Sequence, residues 1–233
     1  MADAARIVKR FYKLAQVGEG RRILLDGKPV KTPGRQDLAL PTDALADAIA
    51  GEWNLQGEQI DPRAMHLTGL ANAAIDRIAP DPLSFARSLS AYGETDLLCY
   101  RAEGPAPLVA LQAAHWDPIL AWARQRYDIG FEIVTGIRHR AQPDETLARL
   151  DAAVAARDAF ALAGLSPLVT ISGSLLIALA LAEGAIALDA AWSAAIVDEQ
   201  WSADQWGEDA EAALALANRR RDFDSAARFL ALL

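Results

Sequence analysis

Residues 159–182 read AFALAGLSPLVTISGSLLIALALA, and the architecture turns on whether this charge-free stretch lies in a membrane or in a protein core. Its length suffices to cross a bilayer, for which about 20 apolar residues are needed. Against spanning, Gly164, Ser166 and Pro167 interrupt it near the start, and Ser172, Gly173 and Ser174 dilute its middle. The part beyond Pro167 is about one buried helix long, with Pro167 placed as its first residue, where a missing N–H is no loss. The stretch is expected to be a buried central helix and not a membrane span, so the rest of the chain must pack around it.

The composition agrees. A chain of 233 residues can bury a core as one large domain or two small ones, and 52% hydrophobic residues, rich in Ala and Leu, describe a soluble, mostly helical protein. A formal charge of −8 repels a phosphate backbone, which argues against nucleic acid and for a protein partner with a basic or apolar surface. One cysteine forms no internal disulfide, and one cysteine with three scattered histidines makes no zinc set. A reducing, cytoplasmic compartment fits. The opening MADAARIVKRFYKLA lacks the apolar run of a secretory signal; it is basic and amphipathic but carries Asp3.

Outward from the central stretch, the pattern changes near residue 41. Before it, FYKLAQV, the turn Gly18-Glu19-Gly20, RRILL, the hairpin signal Asp26-Gly27 and KPVKT predict short antiparallel strands, with Pro33-Gly34 turning into DLALP. Pro29 and Pro33 restrict these to edge or irregular pairing. After Pro41 the pattern is helical. Thr42 or Asp43 caps a helix to about Leu55, with Leu45, Ile49 and Trp53 on one stripe; residues 65–79 make a second helix, and Asp81-Pro82 starts a third. Pro105 and Pro107 open a long helix that Pro118 must kink or restart. Short strands are predicted at 97–100 and 130–137, and everything from Asp144 is helical. The expected architecture is α+β: a small N-terminal antiparallel β domain over 1–41, open to completion by those two strands, then an α-helical domain over 42–233.

Candidate chemistry gathers in 91-AYGETDLLCYRAEG-104, which holds Glu94, Asp96, Cys99 and Tyr100. A nucleophilic thiol needs a base and a nearby cation, yet Cys99 stands mid-strand with acids upstream, so it reads as a small buried apolar residue. Glu94 and Asp96 could pair for acid–base work in a hydrolase, but after Gly93 they read better as acids bonding backbone donors in a turn. His66, His115 and His139 have no metal spacing, and His115, on the stripe Leu108, Leu111, Ile119 and Trp122, reads as a core histidine. Gly18-x-Gly20 lacks the rest of a dinucleotide fingerprint, and no nucleotide is expected.

The C-terminal third carries more. Trp192, Ile196 and Glu199 fall on one face at helical spacing, and Asp198, Trp201, Asp204 and Trp206 stand around them. Tryptophan among carboxylates suits protein recognition, in which aromatics carry affinity and charge selects the partner. The alternative is a core of tryptophans under a solvated acidic face.

Four stretches, RFYKLAQVGEGRRILLDGKPVKTPGRQDLALPT, EWNLQGEQIDPRAMHLTGLANAAIDRI, ETDLLCYRAEGPAPLVALQAAHWDPILAWA and VDEQWSADQWGEDAEA, together resemble the chaperones that escort the alpha subunit of the F-type ATP synthase's soluble head before assembly. The resemblance implies a non-enzymatic assembly factor without cofactor, in the cytoplasm of a bacterium. It would shield the alpha subunit's interface until the beta subunit replaces it. It also implies a small β domain followed by a larger helical one. An acid that matters in mitochondrial relatives would fall at Glu199 or Asp198. Trp53, residues 65–72 and Trp116-Asp117-Pro118 match the family pattern too, mostly as structural positions. A hydrolase using Glu94 and Asp96, or a general holdase for exposed apolar segments, is the alternative.

Overall fold

In a computed structural model, residues 8–207 and 209–233 are described. The chain runs β1 (Val8–Lys9), β2 (Ala15–Val17), β3 (Ile23–Leu25), β4 (Lys28–Pro29), α1 (Asp43–Asn54), β5 (Gln59–Ile60), α2 (His66–Ala73) and α3 (Pro82–Ser90). Then come β6 (Tyr100–Arg101), α4 (Ala106–Tyr127), β7 (Val134–Thr135), α5 (Asp144–Ala155) and α6 (Ala159–Ser172). The last four helices are α7 (Leu175–Ala182), α8 (Leu188–Ala195), α9 (Val197–Trp206) and α10 (Ala210–Ala231). This is the expected α+β arrangement, with antiparallel strands near the N-terminus followed by helices.

β2, β3 and β4 form an antiparallel meander with Ala15 opposite Leu25 and Leu25 opposite Lys28. Asp26 and Gly27 make its turn in left-handed backbone (φ 47° and 79°), the hand that matches strand twist. The Asp26 carboxylate accepts from the Lys13 and Leu14 amides, which holds it below its usual carboxylate range. The loop after β4 is fastened to the helices: Asp76 accepts from Thr32 Oγ1 at 2.6 Å and from the Gly34 amide at 2.7 Å. A Cβ at Gly34 would lie 2.6 Å from the Asp76 carboxylate, so the close approach requires glycine. Ile23, Leu38 and Leu40 are buried in the same core as the helices.

α1 begins as expected, with Thr42 Oγ1 accepting from the Leu45 amide at 3.1 Å. The second helix is joined to it by Glu52, whose two carboxylate oxygens accept from the Leu67 and Thr68 amides, each at 2.8 Å. An anion there satisfies the orphan donors of the first turn of α2. α2 then passes into a π-helical turn over Ala74–Ile78.

The central stretch is buried, as expected, but as two helices. α6 runs from Ala159 with Pro167 inside it, and the break comes at Gly173, whose left-handed φ of 67° ends α6. Ser174 then caps α7, accepting from the Ile177 amide at 3.0 Å. Caps at residues 172–174 therefore outweigh the proline at 167. α6 packs on α10, where Phe160 stacks on Phe229 at 6.4 Å, and Leu175 to Ala180 are fully buried. No helix among the described residues is long and apolar enough to cross a membrane.

Several expected elements differ. The strand at 97–100 is a 3-10 turn over Leu97–Cys99 followed by the two-residue β6, because the Asp96 carboxylate accepts from the Leu98 amide and tightens the chain. The strand at 130–137 shrinks to β7, ended by the reversal at Gly136. β6 and β7 pair with each other in parallel and do not complete the N-terminal sheet. α4 continues through Pro118 without restarting. Its buried face is Gln112, Trp116, Ile119, Leu120 and Ala123, one step round from the expected stripe, which leaves His115 half-buried and outside the core.

Candidate functional site

Trp192, Ile196 and Glu199 do not share a helical face. Ile196 (φ −114°, ψ 15°) separates α8 from α9, and the Ala194 carbonyl that would extend the helix accepts instead from Trp116 Nε1 at 2.8 Å. Trp192 turns inward, 8% exposed, against Phe223 at 5.5 Å, with the Arg220 guanidinium 5.4 Å from its ring. Glu199 turns outward.

α9 gives one residue, Val197, to the core. It is held from below by Asp198, whose Oδ1 accepts from Gln112 Nε2 at 2.7 Å. Gln112 is 2% exposed, and its Oε1 accepts from the Ala102 amide at 2.9 Å, so its amide is satisfied at both ends. Glu199 makes a two-pronged ion pair with Arg219 of α10, one contact being 3.0 Å. Gln200 Nε2 donates to Asp204 at 2.8 Å. Trp201 is half-buried, whereas Trp206 at the helix end is 80% exposed.

Between α9 and the first turns of α10 lies a groove of about 510 Å³. Ala203, Ala212, Leu216 and Trp206 make it apolar, and Asp198, Glu199 and Asp209 border it with carboxylates. The five residues singled out in sequence thus lie on one helix but are placed differently. All three acids are exposed: Asp198 ties α9 to Gln112 of α4, Glu199 pairs with Arg219 and Asp204 with Gln200, while Trp201 is partly packed and Trp206 projects. Such a surface can take an apolar side chain beside positive charge.

The acids of residues 91–104 do not form a catalytic pair. Glu94 is exposed, while Asp96 is fully buried with its carboxylate saturated: Oδ1 accepts from Ser174 Oγ at 2.7 Å and Oδ2 from the Leu176 amide at 3.0 Å. Burial pushes Asp96 up to about 6 despite these bonds. It joins the turn before β6 to the N-terminus of α7, which makes it a structural acid. Burial, with the Asp96 charge second, pushes the Cys99 thiol up to about 12, leaving it protonated and unreactive. Among the described residues no three His, Cys, Asp or Glu side chains gather as a metal site.

Sequence reasoning missed Gln112, Arg219 and Glu52. Gln112 carried a signal, since it precedes Trp116 by one helical turn and so shares its buried face, where a polar side chain needs a partner. Nothing local marks Arg219 within Asn218-Arg219-Arg220-Arg221.

The model of the ATP12 chaperone protein family matches residues 9–124. Atp12 of Paracoccus denitrificans is 42% identical over 97% of this chain and 98% of its own, with a TM-score of 0.91. An aspartate-to-lysine variant of that protein has the same TM-score of 0.91 at 41% identity, covering 97% of both chains. A protein from Agrobacterium tumefaciens superposes at 0.92 with 41% identity, over 97% of this chain and 86% of its own. With such identity along nearly its whole length, the chain belongs to the ATP12 chaperone protein family.

Proposed function

We propose that this chain is an assembly chaperone of the ATP synthase soluble sector. It binds the free alpha subunit, covers the surface that the beta subunit will occupy, and is displaced by beta. It acts without cofactor or catalysis, in a bacterial cytoplasm. The carrying observation is α9, a helix with one core residue whose exposed end sets Trp206 and a groove among Asp198, Glu199 and Asp209. An exposed aromatic beside carboxylates can bind a partner and still let it go, because charges at a rim govern encounter more than residence. The Glu199–Arg219 pair is solvent-accessible on both sides and adds little to folding, so Glu199 is free to serve recognition.

The test is titration of purified alpha subunit with the chain, followed by addition of beta. The reading expects saturable binding that beta reverses. Absence of binding, or a complex that beta leaves intact, contradicts it. A general holdase would instead bind unrelated unfolded proteins as well as alpha.

A further inference from the structure

The α9 groove does not stand alone. A second groove of about 510 Å³ lies between α4 and the tip after β7, and Asp198 lines both. Tyr100, Leu108, Gln112, Gly136 and Ile137 contribute to this second groove. Its tip is pinned: Tyr100 pairs with Val134 across β6 and β7, the Gly136 amide donates to the Arg101 carbonyl at 2.8 Å, and the Tyr100 hydroxyl meets His139 Nδ1 at 3.0 Å. On it Ile137 is 101% exposed. The backbone that carries this aliphatic side chain is already tied down, so binding has to order little more than the side chain itself.

We infer that the partner footprint runs across both grooves, with Ile137 and Trp206 as apolar anchors on either side of Asp198. This rests on the reading of α9 as the alpha-subunit surface and adds a residue and a partner chemistry to it. Along α9, Asp198 and Trp206 are separated by ~12 Å of helical rise, a span that one extended segment of a few residues covers. Glu103, Asp198, Glu199 and Asp209 border the two grooves. Arg101, which also lines the second, is engaged by Asp117 at 2.6 Å and lies over the Trp116 ring at 5.1 Å. The occupant is therefore a segment of the partner that carries an aliphatic side chain flanked by lysine or arginine.

The experiment is titration of purified alpha subunit against the wild type, Ile137→Ser, Ile137→Leu and Trp206→Ala, each at low and high salt. Ile137→Ser should weaken binding about tenfold with an unchanged unfolding midpoint, Ile137→Leu should stay close to wild type, and salt should weaken all complexes. Wild-type affinity in Ile137→Ser beside weakened Trp206→Ala confines the footprint to α9 and overturns the inference, leaving the proposed function standing. Binding indifferent to salt overturns the basic occupant. Failure of the wild type to bind alpha removes both readings together.

Discussion

Asp96 and Glu199 are both carboxylates tied to a partner on another element, yet they sit in opposite settings. Around Asp96, at the start of α7, every side chain from Leu175 to Ala180 is excluded from water, and the acid answers two backbone amides and a serine hydroxyl. Around Glu199, α9 lies in water with Val197 as its buried residue, and the acid answers a guanidinium that is itself exposed. A buried charge that loses its partners, or partners that lose their charge, cost several kcal/mol, whereas an exposed ion pair is worth a fraction of one. One region therefore uses its acid to hold the fold, and the other keeps its acid available.

Asp96→Ala should separate the two regions by the widest margin. It strips the Leu98 and Leu176 amides and Ser174 Oγ of their acceptor inside the core, and urea unfolding should show a loss of about 3–5 kcal/mol. A loss below about 1 kcal/mol would mean that the core does not depend on this acid. Glu52→Ala comes next, since it uncaps α2. A loss of about 1–2 kcal/mol is expected, with helical content retained in circular dichroism.

A finer test uses pH. Asp96 is held near 6 in the fold against an ordinary value of 3.8, so the native state keeps its proton more tightly than the unfolded chain does. Its contribution to stability is accordingly greatest at low pH and declines as pH climbs from about 4 to about 6. Asp96→Asn has no such step, so the advantage of wild type over this variant should narrow between about pH 4 and about pH 6, as read from paired urea midpoints; a widening gap contradicts the assignment. Trp206→Ala should have the smallest effect on folding, within about 0.5 kcal/mol, because the indole is mostly in water already.

The hairpin turn and the starts of α1 and α3 were legible because their signals are local. Asp26-Gly27, Thr42 and Asp81-Pro82 each act on backbone within three or four residues, and each does what its chemistry predicts. The buried character of residues 159–182 was equally plain. The break within that stretch was not, because Pro167 is locally the stronger signal and the Ser172 to Ser174 caps prevail with help from Asp96, a residue far away in sequence. The same holds at the site. The acids and tryptophans of α9 could be named from sequence, but the separation of α8 from α9 depends on Trp116 reaching across from α4, and the pairing of Glu199 depends on Arg219 of α10. Contacts between helices decide which acid meets a buried amide and which meets an exposed guanidinium, and spacing along one helix carries no trace of them.

If the acid on α9 serves recognition while the acid at α7 serves the fold, Glu199→Lys is the decisive variant. Its unfolding midpoint and its affinity for purified alpha subunit would be measured on one preparation. Reversal of this charge leaves the core untouched, because Glu199 is exposed. The expected result is a midpoint close to wild type together with clearly weakened binding. Wild-type affinity at an unchanged midpoint would remove Glu199 from the recognition surface and contradict this division of roles.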